Sequence, residues 1–132
     1  MRKTDYDAAH ALKNCRPYYG SRNTSVTIGG SDSAYMSLFG NRIAWNAVNE
    51  RRVYVTFCGW DSNTTISRIN AVLSMYNVKA QFCRRQGRLY ISNNVATYPI
   101  DPNQIMFIDY TSDDELGFYI NDPACQNLKG RV

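Results

Sequence analysis

Four short runs between Thr24 and Phe57 alternate apolar and polar residues, and turn signals separate them. A period of two sends successive side chains to opposite faces of a strand. Thr24–Ile28 stops at Gly29-Gly30-Ser31-Asp32, a strong turn. Tyr35–Phe39 sets Met36 and Leu38 against Tyr35, Ser37 and Phe39. Gly40-Asn41 suits a two-residue hairpin loop into Arg42–Ala47. Asn49-Glu50-Arg51-Arg52 turns the chain again, after which Val53, Val55 and Phe57 alternate with Tyr54 and Thr56. The pattern predicts an antiparallel β-meander with one apolar face.

A helix follows to cover it. Cys58-Gly59-Trp60-Asp61 forms a turn-rich loop, and Thr64 is the favoured N-cap, with Ser62 and Asn63 as alternatives. At about 100° per residue, Ile66, Ile69, Leu73 and Tyr76 share one face of a Thr64–Tyr76 helix, with Val72 at its edge. That phase points Arg68 outward. Upstream, Thr4-Asp5-Tyr6-Asp7 before Ala8, Ala9, Ala11 and Leu12 predicts a short helix with acids in its first turn, ending near Asn14.

Downstream, Ala80–Arg84 and Arg88–Ser92 form a second hairpin closed by Gln86-Gly87. Its register pairs Phe82 with Ile91 and Arg84 with Leu89 on one face. Gln81, Cys83, Arg85, Arg88, Tyr90 and Ser92 take the other. Pro99, Pro102 and Pro123 punctuate the remainder, where Ile105–Tyr110 and Phe118–Ile120 are apolar enough for two strands around an acidic turn. The expected fold is therefore α+β: an antiparallel meander with one amphipathic helix packed on a face, a short N-terminal helix and a C-terminal β extension. Residues 1–94 make up the main domain and 95–132 an extension packed on it.

The 132 residues suffice for one domain with a real core, and 44% hydrophobic content excludes a disordered chain. No apolar run approaches the roughly 18 residues that span a bilayer, so no membrane role is expected. The basic start lacks the apolar stretch of a secretory signal, which predicts a cytosolic protein. Cys15, Cys58, Cys83 and Cys125 are scattered without a C-x-x-C pair, and His10 is the one histidine. Neither a metal site nor a cofactor is expected, and the cysteines read as buried free thiols.

The segments Asn23-Thr24-Ser25-Val26, Leu38-Phe39-Gly40-Asn41-Arg42-Ile43-Ala44, and Gly59-Trp60 through Thr64-Thr65, Arg68, Asn70 and Leu73 resemble, in order, those of a family of small bacteriophage proteins. Its pattern is N-T-x-V, then h-G-N-x-I-A, then G-W-x-[ST]-x-T-T-x-x-R-[IL]-N-A. The resemblance covers roughly residues 5–92. Phe39 departs from it, standing where a small polar residue or His is common. The resemblance implies a phage origin and the host cytoplasm, and carries no mechanism.

Catalysis finds little support. His10 has no evident nucleophile near it, and Asp5 and Asp7 read as helix-start acids rather than a catalytic pair. Asp113-Asp114-Glu115 could hold a divalent ion but reads more simply as a solvated loop. Phosphate-binding, nucleophile-elbow and zinc-protease motifs are absent from the sequence. No enzyme activity is expected.

Binding has two candidate surfaces. One is the helix start, with Trp60, Asn63, Thr64, Thr65 and Arg68, where free backbone N–H groups and the helix dipole favour anions. A purely capping role for the threonines is the plain alternative. The other is the Arg85/Arg88 hairpin beside Tyr90, where basic side chains next to an aromatic ring suit a single strand. An internal match to the acidic turn at 113–115 is its alternative. Residues 1–99 carry 13 Lys/Arg against 5 Asp/Glu, and residues 100–132 carry 2 against 6; eleven of the fifteen basic residues are arginine. Arginine suits bidentate contact with phosphate. Three readings follow: a non-enzymatic accessory protein that binds nucleic acid, an inhibitor that binds a host or anti-phage defence protein, and a virion component.

Overall fold

The computed structural model describes residues 2–20, 23–30, 32–93, 95–111 and 117–120. The meander forms as expected, with β1 at Thr24–Ile28, β2 at Ser33–Leu38, β3 at Asn41–Ala47 and β4 at Arg52–Val55, each antiparallel to the next. The β2–β3 loop is Phe39-Gly40 rather than Gly40-Asn41. Both residues have positive φ, 50° and 82°, which matches the right-handed strand twist across a two-residue loop. One irregularity lies between Met36 and Ser37, which pair with Ala44 and Arg42. The extra residue, Ile43, lets two consecutive β3 side chains be buried.

Two further strands extend this sheet among the described residues. β8 at Met106–Asp109 pairs antiparallel with β4, and β9 at Gly117–Ile120 pairs with β8, giving the order β1-β2-β3-β4-β8-β9. A second sheet holds β5 at Gln81–Arg85, β6 at Arg88–Ser92 and β7 at Thr97–Pro99. The β5–β6 register is the expected one, with Phe82 opposite Ile91 and Arg84 opposite Leu89. The β7 strand was not legible in the sequence. The stretch expected as an extension thus supplies strands to both sheets.

Two helices, α1 at Lys3–Lys13 and α2 at Asn63–Met75, lie on the inner face of the large sheet. That face carries Val26, Ala34, Met36, Leu38, Ala44, Val53, Val55, Met106, Ile108 and Phe118, all buried. Alanines 8, 9 and 11 with Leu12 form the buried stripe of α1, small enough for a close approach. Asn46 of β3 donates to the Leu12 carbonyl at 3.2 Å and accepts from the Tyr110 hydroxyl at 2.6 Å, so this buried amide is paired at both ends. The helices run parallel: Asp5 meets Ser67 and Arg68 at one end, and Lys13 reaches the Met75 carbonyl at the other.

The phase expected for α2 is wrong on one side. Ile69, Val72, Leu73 and Tyr76 are buried as expected, but Thr65, Arg68 and Ala71 are buried too, and Ile66 is only half-buried. The expected phase holds for a helix with one covering surface. This helix touches the sheet, α1 and β5, so its buried arc is wider and includes the α1-facing side where Arg68 lies. Leu73 stays central and fully buried. Leu73→Ala is expected to cost about 2–5 kcal/mol in a urea melt. Ile66→Ala should cost clearly less, and the reverse order would refute this packing.

Phe82 joins the layers. Its ring sits edge-on to Phe57 at 4.9 Å and to Phe118 at 6.3 Å between centroids. The Asn70 side chain holds the same residue's backbone, donating to the Phe82 carbonyl at 3.0 Å and accepting its N–H at 2.7 Å.

Candidate functional site

The helix start is mostly structural. Ser62, not Thr64, is the N-cap: its hydroxyl accepts the Thr65 N–H at 3.2 Å and lies 2.9 Å from the Thr65 hydroxyl. Thr65 is buried, Thr64 half-buried and Asn63 exposed. Arg68 corrects the outward expectation most sharply, because it is only 4% exposed. Its guanidinium pairs with Asp5 and its Nε donates to the Thr24 hydroxyl at 3.0 Å. Ser67 donates to the other Asp5 oxygen at 2.5 Å, and the Arg2 N–H adds a bond at 3.3 Å. Burial alone would push the Asp5 carboxyl up. The Ser67 and Arg68 hydrogen bonds and the Arg68 charge outweigh it and hold the carboxyl below its usual range. Asp5 is therefore more than a helix-start acid; it neutralises a buried cation.

Trp60 stays outside, 47% exposed, with its ring 5.5 Å from that of Phe39, itself 57% exposed. Arg84 reaches Asp61 at 3.9 Å. That ion pair brings the β5–β6 hairpin tip to the same end of the molecule as Trp60 and Asn63. Arg85 and Arg88 sit directly opposite each other at the tip, exposed, with no ion-pair partner among the described residues. Tyr90 is half-buried on the same hairpin. The acids at 113–115 lie outside the described residues. Of the residues expected on the two surfaces, Trp60, Asn63, Arg85 and Arg88 are exposed, while Thr65 and Arg68 are withdrawn.

Sequence reasoning missed a third surface. The outer face of the large sheet bears aromatic residues aligned across consecutive strands: Tyr35 opposite Trp45, Trp45 opposite Tyr54, and Tyr54 opposite Phe107. The Trp45 and Tyr54 rings stack at 5.1 Å with planes 19° apart, and Tyr54 meets Phe107 at 5.8 Å. The Arg42 guanidinium lies 4.2 Å from the Tyr35 ring centre and that of Arg52 lies 4.4 Å from the Phe107 centre. A Cβ at Gly29 would come within 2.3 Å of the Tyr35 ring, so glycine there leaves room for it. Cross-strand aromatic pairs stabilise a sheet by roughly 0.2–1 kcal/mol each, and cation–π contacts at exposed sites add about 0.5–1. Arg52 also pairs with Asp109 at 3.8 Å. Burial would raise the Asp109 carboxyl, but hydrogen bonds from Thr111 and the Arg52 charge hold it below its usual range. The signal in the sequence was the outward phase of Tyr35 and Tyr54; the aromatic row itself depends on register across four strands.

The described cysteines are free thiols as expected but are not buried. Cys58 is exposed and Cys15 and Cys83 are half-buried, all three free; Cys125 lies outside the described residues. Cys58 donates to the Arg42 carbonyl at 3.1 Å. Among the described residues no three His, Cys, Asp or Glu side chains gather as metal ligands, and no helix is long and apolar enough to cross a membrane.

Fold and surface together define a small two-layer α+β protein in which, among the described residues, helices and a minor sheet lie on one face of a six-stranded antiparallel sheet. The chain belongs to the Kyanoviridae Gp96 protein family, whose sequence model matches residues 1–117. It is thus a bacteriophage protein, and the match extends past the stretch on which the sequence resemblance rests. No curated protein and no solved structure matches the chain.

Proposed function

We propose that this phage protein is a non-enzymatic accessory factor that binds nucleic acid in the host cytoplasm. The observation that carries the reading is the end of the molecule where Asp61 and Arg84 meet. It presents two arginines, Arg85 and Arg88, face to face across a hairpin, with Trp60 exposed at the same end. Opposed like charges destabilise a strand pair, and a bound phosphate relieves that cost. Tyr90, two residues from Arg88 on β6, shares the hairpin face of the two arginines, and Asn63 at the exposed start of α2 is the further polar group included in this reading. Thr64, Thr65 and Arg68 leave the proposed binding surface: Ser62 and Thr65 bond to each other at the helix start, Thr64 is half-buried, and Asp5 neutralises Arg68 internally.

Fluorescence anisotropy with labelled single strands tests this. Arg85→Ala and Arg88→Ala should each weaken binding alike across sequences. Each should also reduce the slope of log K against log salt by about 0.7 for every phosphate it no longer neutralises. No binding at about 50 mM salt, where phosphate contacts are strong, would reject nucleic acid as the partner.

A second reading, an inhibitor that binds a host or defence protein, draws support from the exposed Phe39–Trp60 pair. Phe39 holds a left-handed backbone conformation, which bulky residues rarely adopt, and exposed aromatic rings are typical anchors of protein interfaces. Affinity capture from infected cells with and without nuclease separates the two readings. A host protein retained after nuclease, and absent from the capture with Trp60→Ala, favours the second.

A further inference from the structure

We infer that the pocket between the second half of α2 and the start of β5 holds a sugar–phosphate unit of a single strand whose neighbouring phosphates meet Arg85 and Arg88. The inference rests on the nucleic-acid reading above and adds to it a binding site at the far end of the same hairpin face.

The pocket has a volume of about 400 Å³, within the roughly 300–1,000 Å³ of small-molecule sites. Its width is fixed by the Asn70 amide, which is committed to the Phe82 backbone and so holds α2 against β5. Ser74, Lys79 and Gln81 line the pocket and are exposed, and Ser92 lines it half-buried. Among the described residues, neither a carboxylate nor an aromatic ring lines it. Hydroxyls, an amide and an ammonium suit the oxygens of a sugar and a phosphate. A base would find no ring to stack on there.

Topology joins this pocket to the arginines. The cross-strand pairs Gln81–Ser92, Cys83–Tyr90 and Arg85–Arg88 follow one another along one face of the minor sheet. All six are exposed or half-buried, whereas Phe82, Leu89 and Ile91 on the other face are buried. At about 3.3 Å per residue, the pocket pair and the arginine pair stand about 13 Å apart, with Tyr90 between them. A sheet surface of this kind stacks two or three bases of a strand.

Charge selects the same occupant. Residues 69–100 hold four Lys/Arg and no Asp or Glu. The acids that flank this region have partners of their own: Asp61 pairs with Arg84 at 3.9 Å, and Asp101 accepts the Asn103 N–H at 2.9 Å. A duplex hides the base faces that a single strand offers to Tyr90. The class of ligand is therefore single-stranded DNA or RNA.

Titration of the full chain with labelled oligo-dT, oligo-rU and a blunt duplex of equal length, followed by anisotropy across a salt series, tests this. Tighter binding of the single strands than of the duplex is expected. Lys79→Gln should lower the slope of log K against log salt by about 0.7, the value of one phosphate contact. Ser74→Leu places an apolar side chain at the pocket from an exposed helix position and leaves the charge unchanged. It should weaken affinity roughly 2- to 12-fold, the range of one hydrogen bond. Urea melts that match the native protein establish that both variants stay folded. A bound strand should also shield the Cys83 thiol from alkylation, read by mass spectrometry, and leave Cys15 as reactive as before. Single-strand binding that is weakened by Arg85→Ala and Arg88→Ala, but unchanged by Lys79→Gln and Ser74→Leu and without shielding of Cys83, would overturn this inference and keep the hairpin tip. Binding sensitive to the pocket variants and indifferent to the arginine changes would uphold the pocket and remove the tip. Duplex binding as tight as that of either single strand would overturn the inference. No binding of any oligonucleotide at about 50 mM salt, where phosphate contacts are strong, would overturn both readings.

Discussion

Arg68→Ala is expected to destabilise the protein by about 3–5 kcal/mol at neutral pH, because it strands the buried Asp5 charge without its buried partner, leaving only the largely exposed Arg2 guanidinium at 3.6 Å. An outward arginine would have cost under about 1 kcal/mol, so one urea melt distinguishes the two placements. Asp5→Asn leaves Arg68 in the converse position and should cost a comparable amount. The pH dependence has a defined sign. The folded Asp5 carboxyl titrates below its ordinary value of 3.8. Its contribution is therefore fully present above that value and is lost as pH falls through the lower, folded one. The gap in urea midpoint between the native protein and Asp5→Asn should be constant from neutral pH down to about 5 and should close below 3.8. The double change Asp5→Leu with Arg68→Met should recover much of the loss, since an apolar pair of similar volume escapes the desolvation penalty. A double variant as unstable as the single ones would show that the pair's value lies elsewhere, in the hydrogen bonds to Thr24 and Ser67.

That ion pair lies where local sequence signals stop. Strand identity was legible because it is local: alternation defined β1 to β4, and Gln86-Gly87 set the β5–β6 register down to Phe82 opposite Ile91. The phase of α2 was not local. Its buried arc depends on α1 arriving alongside, and the one cue was that a chain with an arginine among helical apolar residues also carried an acid, Asp5, in a second helix. The placement of β8 beside β4 links residues more than fifty positions apart, and no turn signal reports it. The aromatic row was hidden for the same reason. Tyr35 and Tyr54 could each be read as outward-facing, but only the cross-strand register brings them into one line with Trp45 and Phe107. Among the candidate site residues, polarity and position misled at Thr65 and Arg68, which bond within the fold. Arg85 and Arg88 were placed correctly because hairpin register alone determines them.

Phe82→Ala carries a comparable expected loss, about 3–5 kcal/mol, as a buried ring removed from a close-packed site. Its ring is 2% exposed and is the β5 side chain that touches both Phe57 beyond the end of β4 and Phe118 of β9. The cavity would open between the two sheets, so the loss should fall unevenly. The Asn70 amide still grips the Phe82 backbone through two hydrogen bonds in the variant, and these bonds do not depend on the side chain. Hydrogen exchange should therefore show β5 and β6 amides losing more protection than those of β1 to β4, whose core of Val26, Met36, Val53 and Val55 is untouched. Adding Asn70→Ala should then release the hairpin further, by more than the two single losses summed, because both act on one joint. Equal loss of protection across both sheets would show that the molecule opens only as a whole, and a loss below about 1 kcal/mol would show that the ring does not bear on the joint at all. The distinction matters for binding, because Arg85 and Arg88 ride on the tip of this hairpin. A variant that loosens β5 and β6 while leaving the meander intact should weaken any contact made by those two arginines.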